Sequence, residues 1–281
     1  MNRPPGPAAK IAMYVILILM TLFALYPIWF AILASGRPGD RLYTLNLAGM
    51  FVPTDWTWEN YRVLLTQKPF LTWIKNSLVV ATSTSVLAIF LGTSAAFAFS
   101  RFKFRGREAG LIVFLAIQAF PGILALVPIA QILSALGGFG KAWGLIIAYM
   151  AGTLVFVTWN LKGYFDTIPI DLEEAGMIDG AGPVQSFAYI ALPLARPALA
   201  VTALFGFMAG WGEFFLANIL IPAPDAKKTV MVGMFQLAGE VNIPWGQFAA
   251  GAVIVIVPVV LVFLWLQRYL EAGLTVGGVK G

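Results

Sequence analysis

The side chains that could do chemistry are few, and they are poorly placed for catalysis. The 281-residue sequence has no Cys and no His. That removes disulfides, thiolate and imidazole metal sites, His-based triads and haem ligation through His. The nearest approach to a nucleotide-binding loop is Gly140-Lys141. Ala142 follows where Ser or Thr is required, and Ala135 occupies the first Gly position. Gly278-Val279-Lys280 does no better. A His-Glu-x-x-His protease is impossible, and no Asp lies in the centre of an apolar run, as an intramembrane aspartyl protease would need. Two polar features remain. One is Asp171–Ala181, continuing through Phe187 and Ile190 to Leu192-Pro193; the other is the lone carboxylate Glu213.

The elements that must position these residues are apolar. The chain is 60% hydrophobic and 11% charged, with net charge +5, against about 25% charged in a soluble domain. A membrane-crossing helix needs about 20 apolar residues. The expected fold is therefore all-α and membrane-integral, a single transmembrane domain over 1–281. Six helices are expected near 11–34, 73–100, 109–133, 142–161, 197–221 and 246–267, with a cytoplasmic loop over 162–196. Pro27, Pro121, Pro128 and Pro258 suggest kinks rather than ends, because a helical bundle re-satisfies freed carbonyls. Arg3 and Lys10 before an apolar run are also a signal-peptide pattern. The uncharged stretch Ile11–Gly36 is 26 residues, too long for a usual signal core, so it reads as an uncleaved first helix.

Orientation rests on Arg101, Lys103, Arg105 and Arg107, four positive charges between the second and third helices. Positive loops stay cytoplasmic, so both termini are expected inside. The total of ten Lys/Arg inside and eight outside adds little. Trp56, Trp58 and Tyr61, in the first external segment, are read as interfacial anchors or as part of a small external cap.

Within 162–196 the residues spell two short helices. Asp171-x-x-Glu174 after Pro169 fits a capping box with Asp as the cap. Gly180 stands where a left-handed residue ends a helix, and Pro183 suits the first turn of the next. Val184, Phe187, Ala188 and Ala191 then share one face. These residues alone describe either a surface-lying amphipathic loop or a piece that transmits movement to the helices flanking it.

The longer pattern is more specific. Glu174-Ala175-Gly176, three residues, Gly180, nine residues, then Ile190-x-Leu192-Pro193 resembles the EAA signature of permease subunits in binding-protein-dependent ATP-binding-cassette (ABC) importers. Gly176 departs from the usual Ala, and Gly costs helix stability by up to about 1 kcal/mol. Trp245-Gly246-x-Phe248-Ala249-Ala250 and Gly273–Gly281 resemble the maltose/maltodextrin permeases of that family.

The resemblance implies a type I ABC importer permease fold in a bacterial inner membrane. It also implies coupling to an ATPase through Glu174, Ala175, Gly176, Asp179, Gly180 and Ala181. A C-terminal tail with Gly277, Gly278 and Lys280 would insert between the ATPases. An external loop with Gly239, Glu240 and Asn242 would face a binding protein. The implied partners are a MalF-like permease, two MalK-like ATPase subunits, an extracytoplasmic sugar-binding protein and membrane lipid, with no nucleic acid. No cofactor is expected on this chain; ATP and Mg belong to the ATPase, and the cargo is maltose, maltodextrin or a related oligosaccharide.

Glu213 carries two readings of equal weight. With Trp211 and Asn218 it could line a solute path, where aromatic faces meet sugar C–H surfaces. It could equally bond helix to helix, as could Gln118, Asn160 and Asn218. The alternative function is an ATP-independent secondary transporter or channel subunit, which this single intramembrane acid supports weakly. A membrane scaffold that recruits a soluble protein is a third.

Overall fold

The computed structural model of the chain describes residues 6–39, 47–222, 224–239 and 242–277. Every regular element among them is helical. Besides three short 3-10 turns (Leu47–Met50, Gly122–Ala125 and Asp225–Lys227), these are in chain order α1 (Pro7–Ser35), α2 (Glu59–Gln67), α3 (Phe70–Arg101), α4 (Arg107–Ala119), α5 (Leu126–Ala135), α6 (Ala142–Phe165), α7 (Asp171–Ile178), α8 (Pro183–Leu194), α9 (Arg196–Trp211), α10 (Phe215–Leu220), α11 (Val230–Ala238) and α12 (Trp245–Gly277). Four helices are long and apolar enough to cross a membrane alone: α1, α3, α6 and α12. Two sharply bent pairs, α4 with α5 at 94° and α8 with α9 at 77°, raise the number to as many as six.

The prolines divide into two groups. Pro27 and Pro258 sit inside continuous helices. Pro121 breaks the run expected over 109–133, and the residue before it, Phe120, is extended at φ −75°, ψ 128°. That is the conformation a following proline imposes. The run expected over 197–221 is also broken, between Trp211 and Phe215, so Glu213 lies in the break and not within a helix.

The chain divides into two compact units. In the smaller, residues 1–69 and 234–257, α1 is exposed along most of its length, from Ile11 to Trp29. Its C-terminal end is tied down. Asn60 Nδ2 donates to the carbonyls of Ser35 and Arg37 at 2.9 Å each, and Ser35 Oγ lies 2.7 Å from the Tyr61 hydroxyl. Trp56 packs against Gly36, where a Cβ would overlap its ring. Trp56, Trp58 and Tyr61 form one cluster with centroids 5.3 and 5.5 Å apart.

The larger unit, residues 70–233 and 258–281, is built on α3, α6 and α9. On α3 the residues Ser77, Ala81, Ser85, Ala88, Gly92 and Ala96 recur every three or four positions and are all buried. Small side chains let membrane helices approach closely where no hydrophobic force drives them together. Gly92 lies under Val157 of α6, and a Cβ on Gly210 of α9 would stand 3.0 Å from Ala81 Cα. Gly92→Leu should therefore destabilise the protein by about 1–3 kcal/mol through overpacking. Gly163→Ala, which meets nothing within 4 Å, should leave stability unchanged or raise it. Thermal unfolding of the purified protein in detergent checks both.

Candidate functional site

The polar segment between α6 and α9 forms a helix pair fastened to the end of α3. In α7 only Glu173 is buried, at 3% exposure. Its Oε1 accepts from Arg101 Nε at 2.7 Å. Arg101 also donates through Nη2 to the Ile168 carbonyl at 3.0 Å and through Nη1 to Ser100 Oγ at 3.1 Å. A charge-assisted bond of this length between two desolvated groups is strong and directional. Beside it, Ser100 Oγ donates to Asp166 Oδ1 at 2.6 Å, and Lys162 Nζ donates to Asp166 Oδ2 at 2.6 Å. Burial pushes the Asp166 carboxyl upward, but the hydrogen bonds from Lys162 and Ser100 and the positive charge of Lys162 and Arg107 outweigh it. The net result lies below the usual carboxylate range.

With Glu173 turned inward, helical geometry turns its neighbours out. Asp171, Leu172, Glu174, Ala175, Met177, Ile178, Asp179 and Gly180 are all exposed, Ile178 at 87%. Asp171 is the first helical residue and not a cap; Ile170 precedes the helix and no side chain caps it. Gly180 is left-handed at φ 91°. Gly180 N–H donates to the Met177 carbonyl at 3.0 Å and Ala181 N–H to the Gly176 carbonyl at 2.9 Å, closing the helix end. Gly176 lies inside the continuous helix α7. Ile190 Cδ1 fills the place a Cβ would take, so the departure from Ala gives room to a residue of α8.

At the start of α8 the Gly182 N–H donates to Gln185 Oε1 at 2.9 Å. Residues Phe187–Ala191 form a π turn. The extra residue per turn rotates the packing face, so Ser186, Ala191 and Ala195 are buried while Val184 is 78% exposed. Val184 therefore does not share the face expected of it. Phe187 meets Phe97 of α3 at 4.8 Å between centroids, and Phe97 also meets Phe165 at 5.6 Å. The Tyr164 hydroxyl donates to the Leu194 carbonyl at 3.3 Å.

The second polar feature is local. Glu213 accepts from the N–H of Leu216 at 2.8 Å and of Ala217 at 3.1 Å, and from the Tyr149 hydroxyl of α6. It thus satisfies the open end of α10 and ties it to α6. A groove of about 290 Å³ runs beside it, lined by Tyr149, Thr153, Phe156, Phe205 and Glu213 among others. Trp211 is 4% exposed and stacked on Phe207 at 5.6 Å, outside that lining. Asn218 is exposed on α10. Gly239 follows α11, its N–H bonded to the Phe235 and Gln236 carbonyls, and Asn242 is exposed. Gly277 is the last residue of α12; Glu240, Gly278 and Lys280 lie outside the described residues. The sequence did not bring Arg101, Asp166 and Glu173 together, nor Ile190 with Gly176. The available signal was Arg101 itself, a cation at the very end of an apolar span.

This arrangement is the fold of a membrane-embedded subunit of a transporter. The chain shares it with a solved bacterial ABC transporter involved in the import of the acidic polysaccharide alginate, at TM-score 0.78 and 24% identity, over 95% of this chain and 99% of that one. The family model for the binding-protein-dependent transport system inner membrane component matches residues 88–276, and the chain belongs to that family. Its relatives include the maltodextrin transport system permease protein MdxG of Bacillus subtilis, 36% identical over 97% of this chain and 96% of that protein. The galactooligosaccharides transport system permease protein GanQ of the same organism is 35% identical over 95% and 94%. The maltose/maltodextrin transport system permease protein MalG of Vibrio vulnificus is 38% identical over 92% and 91%. The chain is thus a multi-pass protein of the bacterial inner membrane.

Two expectations follow. Arg101→Met leaves Glu173 buried and unpaired, which costs about 3–5 kcal/mol. It should expose 171–195 to limited proteolysis, and the double variant Arg101→Met/Glu173→Met should recover most of the protection. Asp166, with its folded value depressed, contributes stability that is present above the ordinary carboxylate range and lost as pH falls through the folded value. The gap in thermal midpoint between wild type and Asp166→Asn should therefore close below the ordinary carboxylate range.

Proposed function

We propose that the chain is one permease subunit of an ATP-driven importer of maltose, maltodextrin or a related oligosaccharide. The observation that carries this reading is the division of α7 into a buried carboxylate fixed to α3 and an exposed face bearing Glu174, Ala175, Asp179 and Gly180. Such a face is free to dock while its back is held rigidly to the membrane helices. Family membership supports the ABC class, and the names of relatives at 35–38% identity over nearly the whole chain support the sugar.

In this reading the two bent pairs count as spans, giving six, with both termini in the cytoplasm. The exposed α7 face and Ala181 sit in a groove on a MalK-like ATPase subunit, and the tail with Gly277, Gly278 and Lys280 reaches between two of them. ATP and Mg are held by those subunits and not by this chain. A MalF-like permease covers much of the exposed apolar surface. An extracytoplasmic binding protein delivers sugar and meets the segment of Gly239, Glu240 and Asn242. A solved relative of the fold is an alginate ABC transporter in complex with a periplasmic protein. The groove beside Glu213 and Tyr149 is this subunit's wall of the solute path. Closure of the ATPase pair on ATP moves α7, and α3 carries that motion through Arg101.

Uptake of maltodextrin into liposomes by the complete assembly should require ATP inside. Uptake without ATPase subunits would overturn the importer reading in favour of a secondary transporter or channel. Glu174→Lys, which places a cation on the exposed face, should lower sugar-stimulated ATP hydrolysis at least about tenfold. That loss corresponds to about one charge-assisted bond. Wild-type coupling in this variant would remove α7 from the role.

A further inference from the structure

The end of the larger unit opposite α7 holds a cavity of about 460 Å³ between the start of α3, the start of α6 and the segment after α10. Lys75, Lys141 and Lys227 line it, and no acidic residue does. Among the described residues the Lys227 ammonium donates to the Gly140 carbonyl alone, at 3.5 Å. The nearby carboxylate, Asp225, is taken by Lys228 at 2.5 Å. Ala142 and Trp143, the first two residues of α6, also line it. No side chain caps that helix, and no acidic residue stands in its first turn, so its positive end is open to an anion. Thr229, also in the lining, is 4% exposed, and its hydroxyl has no hydrogen-bond partner. Three cations, a helix N-terminus and an unsatisfied hydroxyl converge on one cavity.

The rest of the lining is apolar. Val79, Val80, Leu145 and Ile221 form its walls, and Trp143 is 40% exposed beside them. The cavity sits at the ends of two helices apolar enough to cross a membrane, the level at which Trp and headgroups meet. A free anion would use the cations and leave the walls unfilled. An amphiphile with a phosphate above and a chain below uses both.

We propose that this cavity binds the headgroup phosphate of an anionic phospholipid. Lys75, Lys141 and Lys227 surround the phosphate, Thr229 donates to it, and Trp143 and Val79 contact the glycerol and upper acyl region. Bound there, the lipid bridges α3 and α6 at the end far from α7. It fixes the spacing of the two helices that the small-residue stripe packs together.

The test uses the complete transporter, stripped of lipid in detergent and then incubated with phosphatidylglycerol or phosphatidylcholine micelles. Native mass spectrometry counts the retained lipid. Phosphatidylglycerol should be retained and phosphatidylcholine not. Each Lys→Gln change among Lys75, Lys141 and Lys227 should weaken retention by about fivefold, the worth of one lysine near an anionic headgroup. Thr229→Val, which keeps shape and charge, should weaken it by a smaller factor, and it serves as the reading if a triple lysine variant does not assemble. Equal retention of the two lipids, or retention unaffected by these changes, would overturn the proposal. Displacement of phosphatidylglycerol by inorganic phosphate at modest excess would show a free-anion site and overturn the lipid assignment.

Discussion

The Arg101–Glu173 pair is the constraint on which the polar end of this protein depends. Both side chains are withdrawn from water, Arg101 to 9% and Glu173 to 3% exposure, and neither could be left there alone without a large desolvation cost. Their meeting fixes three things together. It sets the rotational phase of α7, it pins the Ile168 carbonyl through the same guanidinium, and it joins a short polar helix to the last residue of a long apolar one. Phe97 against Phe187 repeats the connection with apolar contact. A buried ion pair is a poor source of net stability but a good source of specificity in register. Register is what a surface presenting one helical face requires.

Much of the segment was legible in the sequence. Gly180 in the left-handed region and Pro183 in the first turn of α8 follow from backbone chemistry alone, and both stand as expected. The phase of α7 was not legible. Glu173 and Glu174 are identical in type and adjacent in sequence, and only the position of Arg101, 72 residues away, decides which one is buried. Asp171 looked like a cap because its side chain suits that role, yet the helix begins one residue earlier than a cap at 171 would allow. Val184 was placed on the packing face by counting 3.6 residues per turn, and the π turn breaks that count without a sequence marker. Gly176 read as a weak point because propensity sees only its own helix, whereas its reason lies across the pair in Ile190.

The membrane-embedded part shows the same division. Long apolar runs announce themselves, and α1, α3, α6 and α12 fall where hydropathy places them. Breaks are harder. Pro121 stops a helix while Pro27 and Pro258 do not, because the outcome depends on what satisfies the freed carbonyls nearby. The break at Glu213 has no proline at all. There the carboxylate supplies two acceptor atoms to the N–H groups that the break exposes, so a residue conspicuous for its charge is engaged first by its own backbone.

The π turn of α8 has a consequence for how this chain can change over evolutionary time. A π turn holds one residue more than the α-helix around it, so losing one residue between Phe187 and Ala191 would restore ordinary helix. The residues beyond would then rotate by about 100°. Ala191 and Ala195, both at 0% exposure, would leave the face they fill. Exposed positions such as Val184 and Tyr189 can exchange freely without this effect. At these exposed positions a new side chain leaves the buried face in place, whereas a change of length would turn that face away from α3 and α6.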